Sequence, residues 1–342
     1  MKSIRIAAQL FIVIIIVYIL IIGKSIVLPL MFSILIYLLI KSLHRFFNKS
    51  KIMKKYFPSW LKNMLSAGII FTALGFLLNT IIVNTKSLSF SLKKYEYNIH
   101  KISDLIEGKV KLNLSEKIEQ GVAQLDLTQS LNPILNSISS FAGSFVLVLF
   151  YVVFLILEEL NFKKKMALII TNTTKLESTN NLLRNIEKSI THYVGLKTLI
   201  SFISALACFI VLFISGIQSP FLWATFIFVL NFIPVVGAFL AVSLPVGFAV
   251  IQFGTFYEAG ILLLVLSTIQ LVVGNLLEPK LMGNSLNISP LVAMLSLAVW
   301  GSIWGIIGMV LSVPITVILI IICAHFTQTR AIAILLSNKG EI

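Results

Sequence analysis

The chain has 342 residues, 58% of them apolar, and a mean hydropathy of +1.00. These values are far above what a water-soluble core requires, so they exclude an ordinary soluble enzyme or binding domain. The formal charge of +14 would indicate nucleic acid in a soluble chain, but here the lysines cluster in short loops between apolar runs, as the positive-inside rule describes. We therefore expect a lipid bilayer as partner and no nucleic acid.

Apolar runs, taken in chain order, predict about eight membrane segments. The stretches 198–257 and 281–324 contain no Asp, Glu, Lys, Arg or His, although about 20 apolar residues suffice to cross a bilayer. The predicted fold is therefore all-α, a polytopic transmembrane helix bundle. Its segments are residues 6–22, 25–41, 64–84, 139–157, 198–216, 220–252, 259–277 and 289–324.

Loop charges predict the orientation and the division of the chain. Residues 41–62 carry seven basic residues and no acid, and residues 158–197 carry seven against four. Both are expected in the cytoplasm, with both termini. Residues 85–138 are nearly balanced, which is typical of an external segment. The predicted parts are residues 1–84 with three membrane segments, the external insertion 85–138, the fourth span 139–157, the cytoplasmic segment 158–197, the transport core 198–325 and the tail 326–342.

The external insertion contains a helical apolar pattern. Leu92, Tyr95, Ile99, Ile102 and Ile106 recur at three- and four-residue spacing, which predicts an amphipathic helix. Such a helix lies either on the membrane or a partner, or in a helical hairpin packed on its own protein.

The two longest segments, 220–252 and 289–324, do not fit one straight crossing. At 1.5 Å per residue they reach about 50 Å and 54 Å, against an apolar thickness of about 30 Å. Each contains helix breakers, so we expect broken or re-entrant helices near 231–245 and 300–314. If each segment crosses once, the loop 278–288 is external; if each is a hairpin, this loop is internal. The breakers are Pro234, Gly237, Pro245, Gly301, Gly305, Gly308 and Pro314.

The break in the first of these segments is a candidate substrate site. A proline inside a helix removes a backbone hydrogen bond and costs about 3 kcal/mol, and irregular backbone at membrane depth is tolerated where it is buried or lines a cavity. Asn231 would supply an amide, Pro234 would start the second half-helix, and Gly237 would allow close approach. The alternative is a kink that only shapes the bundle.

A second polar cluster separates two strongly apolar segments. It contains Gln270, Asn275 and Glu278, and Pro279 and Gly283 force a turn there. Polar and ionisable residues this close to membrane spans are often functional. The alternative is an ordinary loop in which the charged residues are solvated.

These two stretches also carry a family resemblance. FVLNFIPVVGAFLAVSLPV, followed by GNLLEPKLMGNSLNISPLVAMLSLAVWGSIWGIIGMVLSVPITVIL, resembles the autoinducer-2 exporter family of bacterial membrane permeases. FYVVFLILEELNFKKK and ITHYVGLKTLISFIS are similar to that family's fourth span and to its helix entering the next one. The resemblance covers roughly residues 139–325, and the front third only through span number and spacing.

The resemblance implies an inner-membrane exporter of small molecules with seven or eight spans, such as an autoinducer-2 exporter, that forms a homo-oligomer, described as a pentamer. The family's Pro-x-x-Gly motif falls on Pro234 and Gly237. Its later Asn, Pro and Gly fall on Asn275, Pro279 and Gly283, and the proline of its last span falls on Pro314. Glu278 stands where the family often has a polar residue, so its charge is a variation on that pattern.

Some relatives are linked to sodium or proton antiport, which commonly uses carboxylates buried between helices. The candidate coupling acids Glu158, Glu258 and Glu278 all lie at predicted span ends. Movement of a small neutral or anionic solute is therefore the favoured prediction, with antiport as the alternative.

The sequence contains no signature of catalysis. It has no HExxH zinc motif, no GxxxxGK[ST] phosphate loop, and its four histidines lie in predicted loops or at span ends. We therefore expect neither enzymatic activity nor a metal or cofactor. A membrane scaffold without transport is the remaining alternative.

Overall fold

In the computed structural model the chain is helical through most of the part that is described, which is residues 2–49, 51–92, 95, 97–98, 101–102, 143–283, 287–338 and 340. The absence of β-strands from these residues agrees with the predicted all-α class. The helices are α1 (Lys2–Ile22), α2 (Lys24–Lys49), α3 (Lys51–Tyr56), α4 (Ser59–Leu92), α5 (Phe145–Ile169), α6 (Thr173–Ile214), α7 (Pro220–Leu230), α8 (Val236–Phe253), α9 (Phe256–Val272), a π-helix (Val273–Leu277), α10 (Glu278–Met282), α11 (Pro290–His325) and α12 (Arg330–Leu336).

Six helical stretches in the described ranges are long and apolar enough to cross a membrane. The polytopic bundle is therefore confirmed, while the number of eight segments stays a prediction. The six are Lys24–Lys49, Ser59–Asn84, Thr173–Ile214, Val236–Phe253, Phe256–Met282 and Pro290–His325.

The chain divides into two compact units. Unit 1 comprises Met1–Ile70, Ser140–Gly195 and Asn284–Ile342. In this unit α2 packs against α5, and α11 packs against α12. The Ser33 hydroxyl donates to the Val148 carbonyl across the first of these contacts. Burying the hydroxyl between two helices is tolerated because its donor is satisfied.

Unit 1 also holds a network of charges. The Lys41 ammonium lies 2.9 Å from a Glu159 carboxylate oxygen and 3.1 Å from one of Glu187, and Arg45 approaches Glu187 at 3.6 Å. These residues belong to α2, α5 and α6. The basic loop that the sequence assigns to the cytoplasm is thus joined by ion pairs to the segment 158–197.

Unit 2 comprises Phe71–Ser139 and Leu196–Gly283. Here α8 packs against both α7 and α9. The core of this unit contains Trp223, Phe226 and Phe248, each no more than 1% exposed. The Trp223 ring lies 5.4 Å from that of Phe248 and 6.1 Å from that of Phe226, so aromatic packing fixes α7 against α8.

Residues 220–253 of unit 2 form hairpin A, because α7 has only 11 residues and reaches about 16 Å, half of the apolar thickness. The chain then turns back at once. A Cβ placed on Gly237 would lie 1.9 Å from the Leu230 carbonyl oxygen, whereas residues seven apart in a straight helix are about 10 Å apart. Only glycine fits this close backbone approach.

The two ends of hairpin A are hydrogen-bonded to each other. The Gln252 side-chain amide donates to the Gly216 carbonyl at 2.8 Å, and its oxygen accepts from the Gln218 backbone N–H at 2.7 Å. Entry and exit therefore lie at the same end of the hairpin.

Residues 290–325 of unit 1 form hairpin B in a similar way. The backbone of α11 breaks at Gly305, which has φ 66° and ψ −145°. A Cβ on Gly308 would lie 1.9 Å from the Trp300 carbonyl oxygen, whereas residues eight apart in a straight helix are about 12 Å apart. Ile288, just before hairpin B, forms an antiparallel bridge with Ser337, which follows α12. Because α12 also packs against α11, the two ends of hairpin B lie near each other.

The predicted breaks near 231–245 and 300–314 are therefore confirmed, and both long segments double back. The single-crossing alternative is wrong, because both segments return to the end where they entered. The prediction that Pro234 starts the second half-helix is wrong by two residues, since α8 begins at Val236. Val235 has φ 59°, and this left-handed residue reverses the chain before the helix can start.

Part of the predicted amphipathic helix in the insertion is described. The Tyr95 phenol donates to the Gln218 side chain at 2.8 Å, and the Asn98 amide donates to the Gln252 carbonyl at 2.7 Å. Burial raises the pKa of Tyr95, which keeps the phenol protonated as a donor. Ile102 is buried. Tyr95 and Asn98 thus contact their own protein at the base of hairpin A. Ile99 and Ile106 lie outside the described residues.

Candidate functional site

The tip of hairpin A places Asn231 inside unit 2. Its backbone N–H donates to the Ile227 carbonyl at 3.0 Å as α7 ends, and the residue is only 9% exposed. The side-chain nitrogen Nδ2 is buried and has no hydrogen-bond partner among the described residues. Leaving a buried amide donor unpaired costs about 1–3 kcal/mol, so the position is poorly explained by stability alone.

The same tip contains the Pro-x-x-Gly motif. Pro234 accepts a bond from the Val236 N–H at 2.6 Å, and the Gly237 N–H donates to the Ile233 carbonyl at 3.2 Å. The proline lacks a donor and the glycine lacks a side chain, so both fit a turn whose two arms touch. The motif therefore shapes the tip on which Asn231 lies.

Gln270 is a second buried amide in unit 2. It lies near the end of α9, is 9% exposed, and its Nε2 has no hydrogen-bond partner among the residues that are described. Because α9 packs against α8, this amide belongs to the same packed layer as hairpin A. Asn231 and Gln270 are thus both buried, each with a side-chain nitrogen that lacks a partner among the described residues.

Glu278 is paired with a buried lysine. Its Oε1 lies 2.5 Å from the Nζ of Lys197, whose side chain is 7% exposed while that of Glu278 is 32% exposed. Both residues belong to unit 2, Lys197 on α6 and Glu278 at the start of α10. Glu278 is therefore a partly buried, paired carboxylate rather than a fully solvated one.

Sequence reasoning missed Lys197, which was counted as one of the basic residues of the loop 158–197. The available signal was its position immediately before the uncharged stretch 198–257. A lysine at that point is either a loop cation or the first charged group of a span. Which of these two roles Lys197 has depends on the carboxylate of Glu278, which is 81 residues away in sequence. No local sequence pattern reveals that contact.

Asn275 lies within the π-helix that precedes this ion pair. Single turns of π-helix inside membrane helices occur frequently at functional sites, because the extra residue widens the turn. Asn275 is exposed, Pro279 is in the first turn of α10, and Gly283 ends α10 with φ 52°. The second polar cluster is therefore an irregular helix end, and its Pro and Gly define where α10 begins and stops.

The two other candidate coupling acids have local partners. Glu158 of unit 1 pairs with Lys165 at 2.5 Å, and the two side chains are 47% and 64% exposed. Glu258 of unit 2 is exposed in the first turn of α9 and accepts a hydrogen bond from the Thr255 hydroxyl. A carboxylate at this position also interacts favourably with the helix dipole.

Pro314 belongs to unit 1 and lies in the second arm of hairpin B, where it is buried. The Thr316 hydroxyl bonds back to the Ser312 carbonyl at 2.7 Å, and the Ser312 hydroxyl bonds to the Met309 carbonyl at 2.7 Å. These side chains satisfy backbone groups of the same turn, as expected near a proline in a membrane helix.

Unit 2 contains groups that can form reversible hydrogen bonds with a polar solute. They are two buried amide donors and a charge-compensated Lys–Glu pair. Within the described residues no group of three or more His, Cys, Asp or Glu side chains could hold a metal ion.

Comparison of the sequence with known proteins identifies the family of this chain. Residues 10–328 match the family described as AI-2E family transporter. The AI-2 transport protein TqsA of Escherichia coli K12 is 36% identical over 228 residues, which covers 67% of this chain and 64% of that protein, somewhat under two thirds of its length.

Two further relatives are also named for transport. A protein of Haemophilus influenzae, provisionally named as a transport protein, is 31% identical over 294 residues. The match covers 83% of this chain and 83% of that protein. The provisionally named transport protein YhhT of Escherichia coli K12 is 31% identical over 209 residues, 60% of this chain and 58% of that protein.

Proposed function

The chain belongs to the AI-2E family of transporters, and from that premise we propose that it moves a small polar solute across the membrane through unit 2. The observation that carries the proposal is the pair of buried amides, Asn231 and Gln270, whose nitrogens lack partners among the described residues. Donors kept unpaired at a stability cost are expected where a ligand pairs with them.

Hairpin A supports this assignment of the path. Its arms meet at the tip through Gly237, so the Asn231 amide lies on a broken helix rather than on a continuous one. In transporters, such half-helices bring free backbone and side-chain groups to the substrate. Asn231, Pro234, Gly237, Gln270, Asn275, Glu278, Pro279 and Gly283 form the proposed path in unit 2, and Pro314 supports hairpin B in unit 1.

The Lys197–Glu278 pair favours a neutral or anionic solute. The pair has no net charge, so a neutral solute passes it without an electrostatic penalty, and an anion gains from Lys197 when the pair opens. We propose that Lys197 and Glu278 hold the start of α10 against α6 between transport events.

Autoinducer-2 or a related signal molecule is the proposed solute, and export is the proposed direction. The support is the similarity to the Escherichia coli relative, which is named as an AI-2 transport protein. Flux of autoinducer-2 into liposomes that contain the purified protein tests this proposal. We expect a flux above that of empty liposomes. A flux no higher than that of empty liposomes, for autoinducer-2 and for related small signals, would contradict the proposal.

Sodium or proton antiport is the second candidate. The observation that favours it is Glu278, since its carboxylate is held by a buried cation and would titrate when that contact opens. Glu158 and Glu258 are weaker candidates because the Glu158 side chain is 47% exposed and Glu258 is exposed. Sodium-dependent pH change inside the same liposomes, lost in Glu278→Gln, distinguishes antiport from solute flux.

We further propose that the protein lies in the bacterial inner membrane with both termini in the cytoplasm, as the basic loops predict. The proposed homo-oligomer, a pentamer by the family resemblance, is tested by light scattering of the purified protein. If the liposome experiments show no flux of any kind, a membrane scaffold that neither transports a solute nor catalyses a reaction replaces the proposed transporter.

A further inference from the structure

Unit 1 contains a cleft that none of the groups discussed so far occupies. Its volume is about 490 Å³, within the range of about 300–1,000 Å³ typical of small-molecule sites. One wall is the polar first half of α6, where Ser178, Asn181 and Asn185 recur at spacings of three and four residues. This spacing places their side chains on one face of the helix.

The opposite wall is formed by the end of hairpin B and the start of α12. Val317 and Ile321 supply an apolar surface, and His325 and Arg330 follow at the open end. The His325 Nε2 lies 3.4 Å from the Ser178 hydroxyl oxygen, so the two walls come within contact distance at that point. The cleft is therefore apolar on one side and rich in hydrogen-bonding groups on the other.

The cleft carries a positive charge that forms no ion pair among the described residues. None of its lining residues is an Asp or Glu, and Arg330 forms no ion pair with any residue in the described part of the chain. The contrast within unit 1 is Lys41, which contacts both Glu159 and Glu187. A guanidinium with no carboxylate partner in the described part of the chain, beside neutral amides and hydroxyls, is suited to a multivalent anion.

We propose that this cleft binds a phosphate-bearing organic anion. The Arg330 guanidinium pairs with the phosphate oxygens in a fork, and the Asn181 and Asn185 amides donate to the remaining oxygens. The cleft is much larger than an inorganic phosphate ion, and its apolar wall accommodates the carbon part of the ligand.

Two sources supply this chemistry. One is a soluble phosphorylated metabolite, and the other is the headgroup of an anionic phospholipid, because α11 continues from the cleft into an apolar membrane helix. The proposal does not depend on the transport path, since every lining residue belongs to unit 1, while Asn231 and Gln270 belong to unit 2.

Calorimetric titration of the purified full-length protein in a non-ionic detergent tests the soluble source. Glycerol 3-phosphate is the probe, and glycerol is the uncharged control. We expect saturable binding that Arg330→Gln weakens about tenfold or more, as expected for a lost charge-assisted hydrogen bond. Asn181→Leu, which fills the cleft without changing its charge, is expected to weaken binding as well.

The matched control is Arg184→Gln, which removes an exposed arginine from the same helix α6 but outside the cleft lining. Its affinity should remain within about twofold of the wild-type value, because a fully solvated charge elsewhere contributes little. Unliganded melting temperatures of all variants are compared with that of the wild type, so that a folding defect is recognised as such.

Nanodiscs test the lipid source. Melting temperatures of the wild type and of Arg330→Gln are compared in nanodiscs of phosphatidylglycerol and of phosphatidylcholine. If phosphatidylglycerol stabilises the protein in an Arg330-dependent way and glycerol 3-phosphate does not bind, the ligand is the lipid headgroup. Arg330-dependent binding of glycerol 3-phosphate alone assigns a soluble ligand, and both together assign a site open to either. Equal behaviour of Arg330→Gln and Arg184→Gln in both experiments would overturn the proposal, whether or not flux of autoinducer-2 is observed.

Discussion

The Lys197 ammonium lies 2.5 Å from the Glu278 carboxylate, and the two partners are buried to different degrees. The lysine side chain is 7% exposed and the glutamate side chain 32%. Removing either partner leaves the other charge unpaired, but only the lysine is then left in a dry environment. The two single substitutions are therefore expected to differ.

Glu278→Gln should destabilise the protein more than Lys197→Met does. Leaving a buried cation unpaired costs up to about 3 kcal/mol, whereas the unpaired glutamate is partly solvated and costs less. The double variant should regain stability, since an uncharged pair needs no compensation. Melting temperatures of the four proteins in detergent measure this order.

The exposed pair Glu158–Lys165 supplies the control for the buried pair. Glu158→Gln should cost about 0–1 kcal/mol, because solvated ion pairs contribute little. An equal loss in Glu158→Gln and Glu278→Gln would show that burial of Lys197 has no energetic consequence.

Gly237→Ala should disrupt hairpin A. The added methyl group would lie 1.9 Å from the Leu230 carbonyl oxygen, so the arms must separate. Gly247→Ala in the same helix is the control, since nothing lies within 4 Å of its added Cβ, and it should be neutral or gain up to about 1 kcal/mol. Thermal unfolding distinguishes the two, and comparable stabilities would contradict the close approach.

A disulfide should form between cysteines at Ile288 and Ser337. These residues are paired in an antiparallel bridge, and directly opposed Cβ atoms are about 4.5–5.5 Å apart, which is close enough for cross-linking after slight adjustment. The native Cys208 and Cys323 are first replaced by Ala. Electrophoretic mobility with and without reductant reports the cross-link.

The control pair combines Ile288→Cys with Ile332→Cys, which lies on α12 outside the bridge. Oxidation should leave this pair unlinked. Cross-linking of both pairs, or of neither, would contradict a hairpin B whose two ends meet at Ser337.

Leu281 and Lys175 should be accessible from the same side of the membrane. Between them α6 crosses once, hairpin A returns to the end where it entered, and α9 crosses back. Single cysteines at both positions should therefore react with a membrane-impermeant maleimide in inverted vesicles, while one at Tyr257 should react in spheroplasts. Labelling of Leu281→Cys in spheroplasts would contradict the hairpin topology.

The helical class and the two breaks could be predicted because they depend on local sequence. Uncharged stretches predict membrane helices, and Pro234 with Gly237 or Gly305 with Gly308 predict irregular backbone. The doubling back of each segment could not be predicted. It depends on long-range contacts such as Gln252 with Gly216 and Ile288 with Ser337, and the charge pattern is compatible with both topologies.

The candidate site shows the same division. Asn231 and Gln270 were recognisable as polar residues inside apolar runs, yet their burial without partners is a property of the packed unit. Lys197 looked like a loop cation, because its partner Glu278 is far away in sequence. Residues whose role depends on such distant contacts are found only in the structure.

Flux through Gln270→Leu tests the central claim most directly. If the amide serves the solute, its replacement removes an unpaired buried donor, so the variant should melt at or above the wild-type temperature. Its flux of autoinducer-2 in liposomes should nevertheless fall about tenfold. Thr268→Val is the matched control, since this exposed hydroxyl donates to the Leu264 carbonyl of its own helix, and it should retain flux. A Gln270→Leu protein with wild-type flux would contradict a path through unit 2.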